Sequence, residues 1–150
     1  MTTIIITVEG VEALAGKAGR VVPVVSAALL AGGVHVKGKI ATYPAQAHLT
    51  RKEVYGSSFV SDRQRRWFFA IGINQTPYSR TSQLGQSWAV AQPQPLQVIV
   101  GNATPYGPFV QGAGSQTLYH KRQMWKNTDD IANSEASAVA NLVKQALDVL

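Results

Sequence analysis

Residues 81–119 read TSQLGQSWAVAQPQPLQVIVGNATPYGPFVQGAGSQTLY, and no Asp, Glu, Lys or Arg interrupts them. Two runs within this neutral stretch, 87–91 and 96–100, are rich in residues that favour strands. The connector between them, 92–95, contains two prolines, so we expect an extended or loosely turned link instead of a tight hairpin. The neutral stretch therefore predicts a small antiparallel β-sheet.

The residues before the neutral stretch alternate between strand-like and helix-like patterns. Thr3 to Val8 is rich in β-branched residues and predicts a strand. Apolar residues at helical spacing between Leu14 and Leu29 predict a helix, which Pro23 kinks or restarts and which Gly32-Gly33 ends. The alternation from Val34 to Tyr43 then predicts a half-exposed strand.

Two later segments predict helices. Ser61-Asp62 is a typical helix start for residues 63–71, where Arg65 and Arg66 precede a run of aromatic residues. Asn127 or Thr128 can cap a C-terminal helix whose apolar stripe keeps the helical period to Leu150. The expected fold class is α+β, with a small antiparallel β-sheet packed against an N-terminal helix, a short central helix and a long C-terminal helix. We expect a single domain over residues 1–150.

The composition is that of a folded domain without cysteine chemistry. The chain has 150 residues, is 45% hydrophobic and carries a formal net charge of +6. A chain of this length buries roughly 68–70% of its unfolded surface, which suffices for a hydrophobic core. The absence of cysteine excludes disulfides, thiolate zinc sites and cysteine nucleophiles.

Neither an export signal nor a membrane span is expected. The N-terminal residues lack a basic region before their apolar run. The longest charge-free apolar segment, 21–34, contains Pro23 and two glycines and falls short of the roughly 20 residues that cross a bilayer. The sequence predicts a soluble protein that is intracellular when made and has no membrane partner.

The charged residues are distributed unevenly. Between Ala13 and Thr128 there are thirteen basic residues and only two acidic ones, Glu53 and Asp62. Such a basic middle is compatible with a polyanion nearby, and equally with bases that only solvate a surface.

An alternative function follows from this charge pattern, that of a nucleic-acid-binding protein without sequence specificity. It is supported by Arg65 and Arg66 directly before Trp67, Phe68 and Phe69. Against it, aromatic residues that are contiguous on a helix are expected to be buried in the core, where they cannot stack on bases.

The residues that usually carry catalysis are scattered. His35, His48 and His120 lack the spacing that places two imidazoles on one helix face for a metal ion. Residues 33–40 match a phosphate-binding loop in their glycines and lysine, but Ile40 stands where a hydroxyl should hold magnesium. Paired carboxylates are hard to assemble from a middle with two acids. The sequence predicts no enzyme, no cofactor and no metal site.

A neutral surface rich in glutamine and aromatic side chains is suited to burial against another protein chain. Amides and aromatic rings are covered at a lower free-energy cost than charges, and interface cores have this composition. We expect Trp88, Val98 and Ile99 in the ordinary core of the sheet, whereas the glutamines and the 106–115 loop favour a subunit contact. The glutamines are Gln83, Gln86, Gln92, Gln94, Gln97, Gln111 and Gln116.

Several short motifs carry a resemblance. The chain contains PYSRTSQLGQSW (77–88), VIVGN (98–102), YGPFVQ (106–111), FVSDRQRRWFF (59–69), and an ending with His120, Trp125 and Thr128-Asp129-Asp130. Together these segments resemble the tail-completion, or head–tail joining (neck), proteins of long-tailed bacteriophages, over about residues 55–149. In that family an Arg-Thr-Gly-x-Leu-x-x-Ser-Trp type segment leads into two strands, and a Tyr-Ala-x-Tyr-Val-Glu/Gln type segment follows them. Here Ser82 stands where the family usually has glycine, so a turn that needs a positive φ would be strained.

The resemblance implies a small α+β fold, no catalysis and a place in the virion after assembly in the cytoplasm of the bacterial host. It implies a hexameric or dodecameric ring that caps the tail tube, as a tail terminator does, and docks to head-completion or connector proteins. DNA would pass through the channel of this ring.

Candidate residues follow from the resemblance and the composition together. The subunit-interface candidates are Tyr78, Arg80, Gln97, Tyr106, Phe109 and Gln111. The DNA-channel candidates, which could equally face solvent or an acidic partner, are Lys37, Lys39, Arg63, Arg65 and Arg66.

Overall fold

The structure, a computed structural model, describes residues 2–8, 18–45, 53, 59, 61–70 and 80–150. Its strands are β1 (Thr2–Thr7), β2 (Trp88–Gln94) and β3 (Gln97–Asn102). Its helices are α1 (Ala18–Ala41), α2 (Asp62–Ala70), α3 (Gln83–Gln86), α4 (Gly107–Gln111), α5 (Leu118–Arg122) and α6 (Thr128–Asp148). These elements confirm the α+β class. The predicted helical residues before Ala18, together with His48 and Tyr78, lie outside the described residues.

β3 is the central strand of a three-stranded antiparallel sheet with the order β1-β3-β2. Val100 lies opposite Ile4 on one side and opposite Val90 on the other. Because side chains alternate along a strand, these three share one face of the sheet with Trp88 and Val98. Trp88 and Val98 are 2% and 0% exposed, as predicted. This core face packs against α1 and α6.

The link between β2 and β3 is tighter than its two prolines predict. β2 continues through Pro93 to Gln94, which pairs with Gln97 across a turn at Pro95-Leu96. The expectation of a loose link was wrong for two physical reasons. A register shift between Ala91 and Gln94 accommodates the missing N–H of Pro93, and β2 is an edge strand, where proline is tolerated.

α1 is one continuous helix where the sequence predicts a helix followed by a strand. The strand predicted over Val34 to Tyr43 is wrong, because the helix continues to Ala41. A Cβ on Gly33 would lie 2.4 Å from Val98 Cγ1, and one on Gly32 would lie 2.9 Å from a methyl group of α6. The two glycines therefore allow α1 to approach the sheet and α6 closely, and this packing outweighs their low helix propensity.

Pro23 lies inside α1 and does not restart it. Its side chain is exposed. The carbonyl that proline leaves without an intrahelical donor belongs to Gly19, which is also exposed, so water can satisfy it.

Judged by length and composition alone, α1 is long and apolar enough to cross a membrane. Residues Gly19–Ala41 reach a mean hydropathy of 1.5 over their most apolar 18-residue window. The expectation of no membrane span assumed that the helix ends at Gly32-Gly33, and α1 continues past these residues. In this structure one side of α1 is core, since Val25, Leu29, Val36 and Ile40 are 2% exposed or less. The core helix of a folded domain meets the same criterion.

α6 begins as predicted, with a capping box. Asn127 Oδ1 accepts the N–H of Asp130 at 2.8 Å, and the Asp130 carboxylate accepts the N–H of Asn127 at 3.0 Å. The predicted apolar stripe is only partly buried. Val139 reaches the core and Ala132 and Val143 pack against it, whereas Ala136 and Ala140 remain exposed.

Candidate functional site

In the described part of the chain, no helix packs against one of the two faces of the sheet. We call it the open sheet face, and its members, which alternate with those of the core face, are Thr3, Ile5, Thr7, Ala89, Ala91, Gln94, Gln97, Ile99 and Gly101. None of them is charged, and Ile5 is 59% exposed. Ile99, predicted in the core, lies on this face instead. The solvent-exposed face of an antiparallel sheet normally carries polar or charged side chains. A neutral face with an exposed isoleucine is therefore suited to contact with another protein.

A second, mainly apolar surface lies on α1. We call it the α1 outer face, and its exposed members are Pro23, Ala27, Leu30, Ala31, Val34 and Gly38. Two bases border it, the exposed Arg20 one turn before Pro23 and the half-buried Lys37 one turn after Val34. Leu30 is 41% exposed and Val34 56% exposed. Because the other side of α1 packs on the core face of the sheet, the α1 outer face and the open sheet face lie on opposite sides of the molecule.

A groove of about 470 Å³ runs between β1 and α6. Its lining residues include Ile4, Ile6 and Val8 on the strand side and Ala132, Ala136, Val139, Ala140 and Val143 on the helix side. The walls are mainly apolar, and Thr7 and Glu135 are their polar members.

A hydrogen bond joins α1 and α6 at the rim of this groove. His35 Nε2 lies 2.7 Å from Glu135 Oε2. The hydrogen bond with His35 lowers the pKa of Glu135 from its ordinary value of 4.5. Desolvation acts in the opposite direction, and the positive charge of Lys39 adds to the lowering. Glu135 is therefore stabilised as a carboxylate.

Gln111 is buried inside the chain, at 2% exposure. Its Oε1 accepts from Trp88 Nε1 at 3.2 Å, and its Nε2 donates to the carbonyls of Ile40 at 2.8 Å and Lys126 at 3.4 Å. The expectation of a subunit contact is wrong for Gln111, because the amide already connects β2, α1 and the segment before α6.

Arg80 and Tyr106 belong to a small second cluster. Its buried members are Leu84, Val110 and Trp125. The Arg80 guanidinium donates to the carbonyl of Pro44 and lies 5.3 Å from the ring centre of Trp125. Tyr106 is half-buried against the cluster. Both residues therefore have contacts within the chain that stabilise this region.

The remaining interface candidates are accessible. Phe109 is 54% exposed on α4, and Gln97 is half-buried on the open sheet face. Among the other glutamines, Gln92 donates to the Ser26 carbonyl at 3.0 Å and Gln116 to the Trp125 carbonyl at 2.8 Å. The exposed glutamines are Gln83, Gln86 and Gln94. The neutral stretch is thus divided between the core and the surface.

Ser82 has φ 60° and ψ −3°, in the left-handed region, immediately before α3. This is the position at which the sequence departs from the glycine of the resembling family. A residue other than glycine costs about 1–2 kcal/mol in this conformation. The strain considered from the sequence is therefore present at Ser82.

The basic candidates lie on two helices. On α1, Lys37 is half-buried and Lys39 is exposed. On α2, Arg63, Arg65 and Arg66 are all exposed. Lys37 lies one turn after Val34, at the border of the α1 outer face, whereas Lys39 lies on another side of α1.

α2 exposes an aromatic ring beside its arginines. Ser61 Oγ accepts the N–H of Gln64 at 3.2 Å, which caps the helix where the sequence predicts its start. Trp67 is 64% exposed, so the expectation that this aromatic run is buried is wrong for Trp67. Phe69 is half-buried, with its ring centre 5.8 Å from that of Phe59. The α2 surface therefore combines positive charge with a ring that is available for stacking.

Among the described side chains, no group of three or more His, Asp or Glu residues is placed to hold a metal ion. Comparison of the chain with family models, with curated proteins and with solved structures found no match. The argument for function therefore depends on the geometry of these surfaces.

Sequence reasoning missed both the α1 outer face and the groove. One signal for the outer face was present, since no charged residue occurs between Arg20 and Lys37. A helix that is apolar on all sides is covered on more than one side. The groove had no comparable signal, because it depends on how far α6 extends past the edge of the sheet.

Proposed function

We propose that this protein is a virion structural protein, a tail-completion or tail-terminator-like neck subunit that forms a ring between the tail tube and the head-completion proteins. The observation that carries the proposal is the pair of uncharged, exposed faces on opposite sides of the subunit. In a closed ring of identical subunits, each copy contacts one neighbour through one patch and the other neighbour through a different patch. The open sheet face and the α1 outer face meet that requirement.

The charge distribution supports the same proposal. The chain carries a net charge of +6 and a basic middle, so identical copies repel one another where their basic surfaces meet. Contacts through two faces without charge avoid this repulsion and avoid the desolvation of charged groups. Exposed bases outside the two faces, such as Lys39, are then free to attract the phosphates of passing DNA without reading its sequence.

The order of the resembling segments also supports it. Residues 80–88 lead into the β2–β3 hairpin, and residues 106–111 follow as α4. This is the order of the family pattern, a motif that leads into two strands and then into a second motif. The positive φ of Ser82 at the family's glycine position agrees with the same local turn.

Purified virions test the proposal. Mass spectrometry of tailed particles whose genome carries this gene should detect the chain in a fixed, small number of copies per virion. Antibody labelling should place it at the junction of head and tail. Intact particles that lack the chain would refute the proposal, whatever its oligomeric state in isolation.

A second candidate function, binding of nucleic acid without sequence specificity, is favoured by α2. The exposed ring of Trp67 lies on the same nine-residue helix as three exposed arginines. Positive charge with an accessible aromatic ring is the combination that binds single strands. The acidic partner Asp62, 3.6 Å from Arg65, removes part of this charge.

Fluorescence anisotropy with a labelled oligonucleotide separates the two candidates. Nucleic-acid binding predicts an affinity that falls steeply with salt and is lost when Arg63, Arg65 and Arg66 are all changed to Gln. The matched control changes Lys121, Arg122 and Lys126 to Gln, which removes the same charge elsewhere. Equal losses in both triple variants would show attraction by net charge and reject a site on α2.

A further inference from the structure

The two edges of the sheet differ in their protection against strand addition. β2 carries Pro93 and a register shift, both of which block a further strand. β1 contains no charge and no proline, and its pairing with β3 is regular. No described strand pairs with the outer side of β1. β1 is therefore the edge that can accept another strand.

The backbone of β1 directs alternate groups toward this edge. The N–H of Val8 donates to the carbonyl of Leu96 at 3.3 Å, just beyond the paired residues of β1 and β3. Because hydrogen-bonded pairs alternate in an antiparallel ladder, the even-numbered residues of β1 bond to β3. The N–H and C=O groups of Thr3, Ile5 and Thr7 consequently point to the open side, where an added strand would satisfy them.

The sequence of β1 matches its own reverse. Residues 3–7 read Thr-Ile-Ile-Ile-Thr, which is the same in both directions about Ile5. An antiparallel copy centred on Ile5 places threonine opposite threonine and isoleucine opposite isoleucine. Such cross-strand pairs of β-branched residues stabilise a sheet by about 0.2–1 kcal/mol each. In that register the outward-directed groups of Thr3 face those of Thr7, and Ile5 faces its own copy.

The groove beside β1 provides room for the added strand. Its walls are the edge of β1 and the alanine-rich side of α6. Ile4 and Ile6 of an added β1 would lie on the core side of the extended sheet, next to this groove. The exposed Ala136 and Ala140 then gain apolar neighbours, which accounts for the part of the α6 stripe that one copy leaves uncovered.

We propose that β1 of one copy pairs with β1 of a second copy, antiparallel and centred on Ile5, so that two three-stranded sheets become one continuous sheet. The occupant is a second copy because β1 itself has the required pattern, and because an uncharged edge lets two copies with a net charge of +6 meet without opposing like charges. This two-fold contact uses the backbone edge of β1, whose Thr3, Ile5 and Thr7 side chains also belong to the open sheet face, and it does not depend on the proposed function.

A single-cysteine variant tests the pairing directly, since the chain contains no cysteine. Facing residues of a hydrogen-bonded pair have Cα atoms about 5.5 Å apart, within the range that a disulfide spans. Mild oxidation of full-length Ile5→Cys should give a covalent dimer, whose yield in denaturing gels rises with protein concentration. Ala91→Cys is the matched control, because Ala91 is exposed on the same sheet face at the protected edge.

A second variant tests whether the chain dimerises through β1 when no disulfide can form. Ile5→Pro removes a donor on the open side without breaking a bond to β3, and the strand is an edge, so folding should persist. Sedimentation of the chain without substitutions should show dimer at high concentration, and Ile5→Pro should weaken it about tenfold or more. A chain that stays monomeric to its solubility limit, or equal cross-linking of the two cysteine variants, would overturn the proposal. If the chain stays monomeric, the outer edge of β1 would be assigned to pairing with a strand of a different protein instead.

Discussion

At the scale of single residues, Gln111 shows how a neutral side chain can belong to the core. Composition alone placed it with the other glutamines as a contact candidate. Its amide instead joins three parts of the chain, including the indole of Trp88 and the carbonyl of Ile40. An amide can be buried completely when its hydrogen bonds are satisfied, and a charge in the same position cannot.

Substitution of Gln111 should therefore destabilise the monomer. Gln111→Leu leaves two buried groups without partners, at about 1–3 kcal/mol each, so the free energy of unfolding should fall by about 2–6 kcal/mol. Gln111→Glu should be at least as harmful, because it buries a charge and loses the donor to Ile40. Urea denaturation measures both, with the exposed Gln86→Glu as control. A Gln111→Leu variant as stable as the original would show that these bonds contribute nothing.

The contact between His35 and Glu135 makes stability depend on acid pH. The pKa of Glu135 is lowered in the folded state, chiefly by the hydrogen bond with His35. Its contribution to stability is therefore present above the ordinary value of 4.5 and is lost as the pH falls through the lowered pKa. The unfolding temperature should decline more steeply below pH 4.5 than it does in Glu135→Gln.

An NMR titration of the Glu135 carboxyl carbon checks the cause. His35→Gln removes the hydrogen-bonding imidazole, so the pKa of Glu135 should rise toward 4.5. Lys39→Gln should shift it less, because the charge of Lys39 is a smaller contribution. Unchanged titration in His35→Gln would contradict the role given to the 2.7 Å contact.

At the scale of elements, the glycines of α1 are packing residues. A methyl group at Gly33 would lie 2.4 Å from Val98 Cγ1, whereas one at Gly38 meets nothing within 4 Å. Gly33→Ala should therefore destabilise the fold by about 1–3 kcal/mol through overpacking. Gly38→Ala should stabilise it by up to about 1 kcal/mol through helix propensity. Thermal unfolding of the two variants tests this, and equal effects would contradict the close approach of α1 to β3.

Local patterns predicted the elements whose ends are set by local interactions. The capping box at Asn127 and the β-branched run of β1 both depend on residues close in sequence. The pattern failed at Gly32-Gly33 and at Pro93, where the outcome depends on residues far away in the chain. Val98 lies so close to Gly33 that a larger residue would clash there, which favours glycine inside the helix. Pro93 is tolerated in β2 because β2 is an edge strand.

The candidate site was predictable only in part. Absence of charge identified a segment suited to burial, but charge alone does not distinguish a core face from an exposed one. The register between strands makes that distinction, since it sends Trp88 and Val98 inward and Ala91 and Ile99 outward. The α1 outer face depends on the full length of the helix, which the predicted strand over Val34 to Tyr43 concealed.

At the scale of the whole molecule, the open sheet face and the α1 outer face are the two surfaces through which we propose that copies of the subunit meet. A charge on either face should block ring assembly while the monomer stays folded. Gln97→Lys tests the open sheet face and Val34→Lys the α1 outer face, because Gln97 is only half-buried and Val34 is exposed. Asn141→Lys on the exposed side of α6 is the matched control.

Complementation of a phage that lacks the gene measures the effect. We expect Gln97→Lys and Val34→Lys to lower the number of complete particles by at least about tenfold, as the loss of about 1.4 kcal/mol at each repeated contact already implies. Asn141→Lys should complement normally, and circular dichroism should show all three variants folded. Normal particles with both face variants would contradict the assignment of these faces.

The most direct test of the central claim is a cryo-electron microscopy map of the head–tail junction at a resolution that traces the chain. We expect a closed ring of this protein in which the open sheet face of each subunit contacts the α1 outer face of the next subunit. A junction built without this chain, or a ring in which both faces are exposed to solvent, would contradict it.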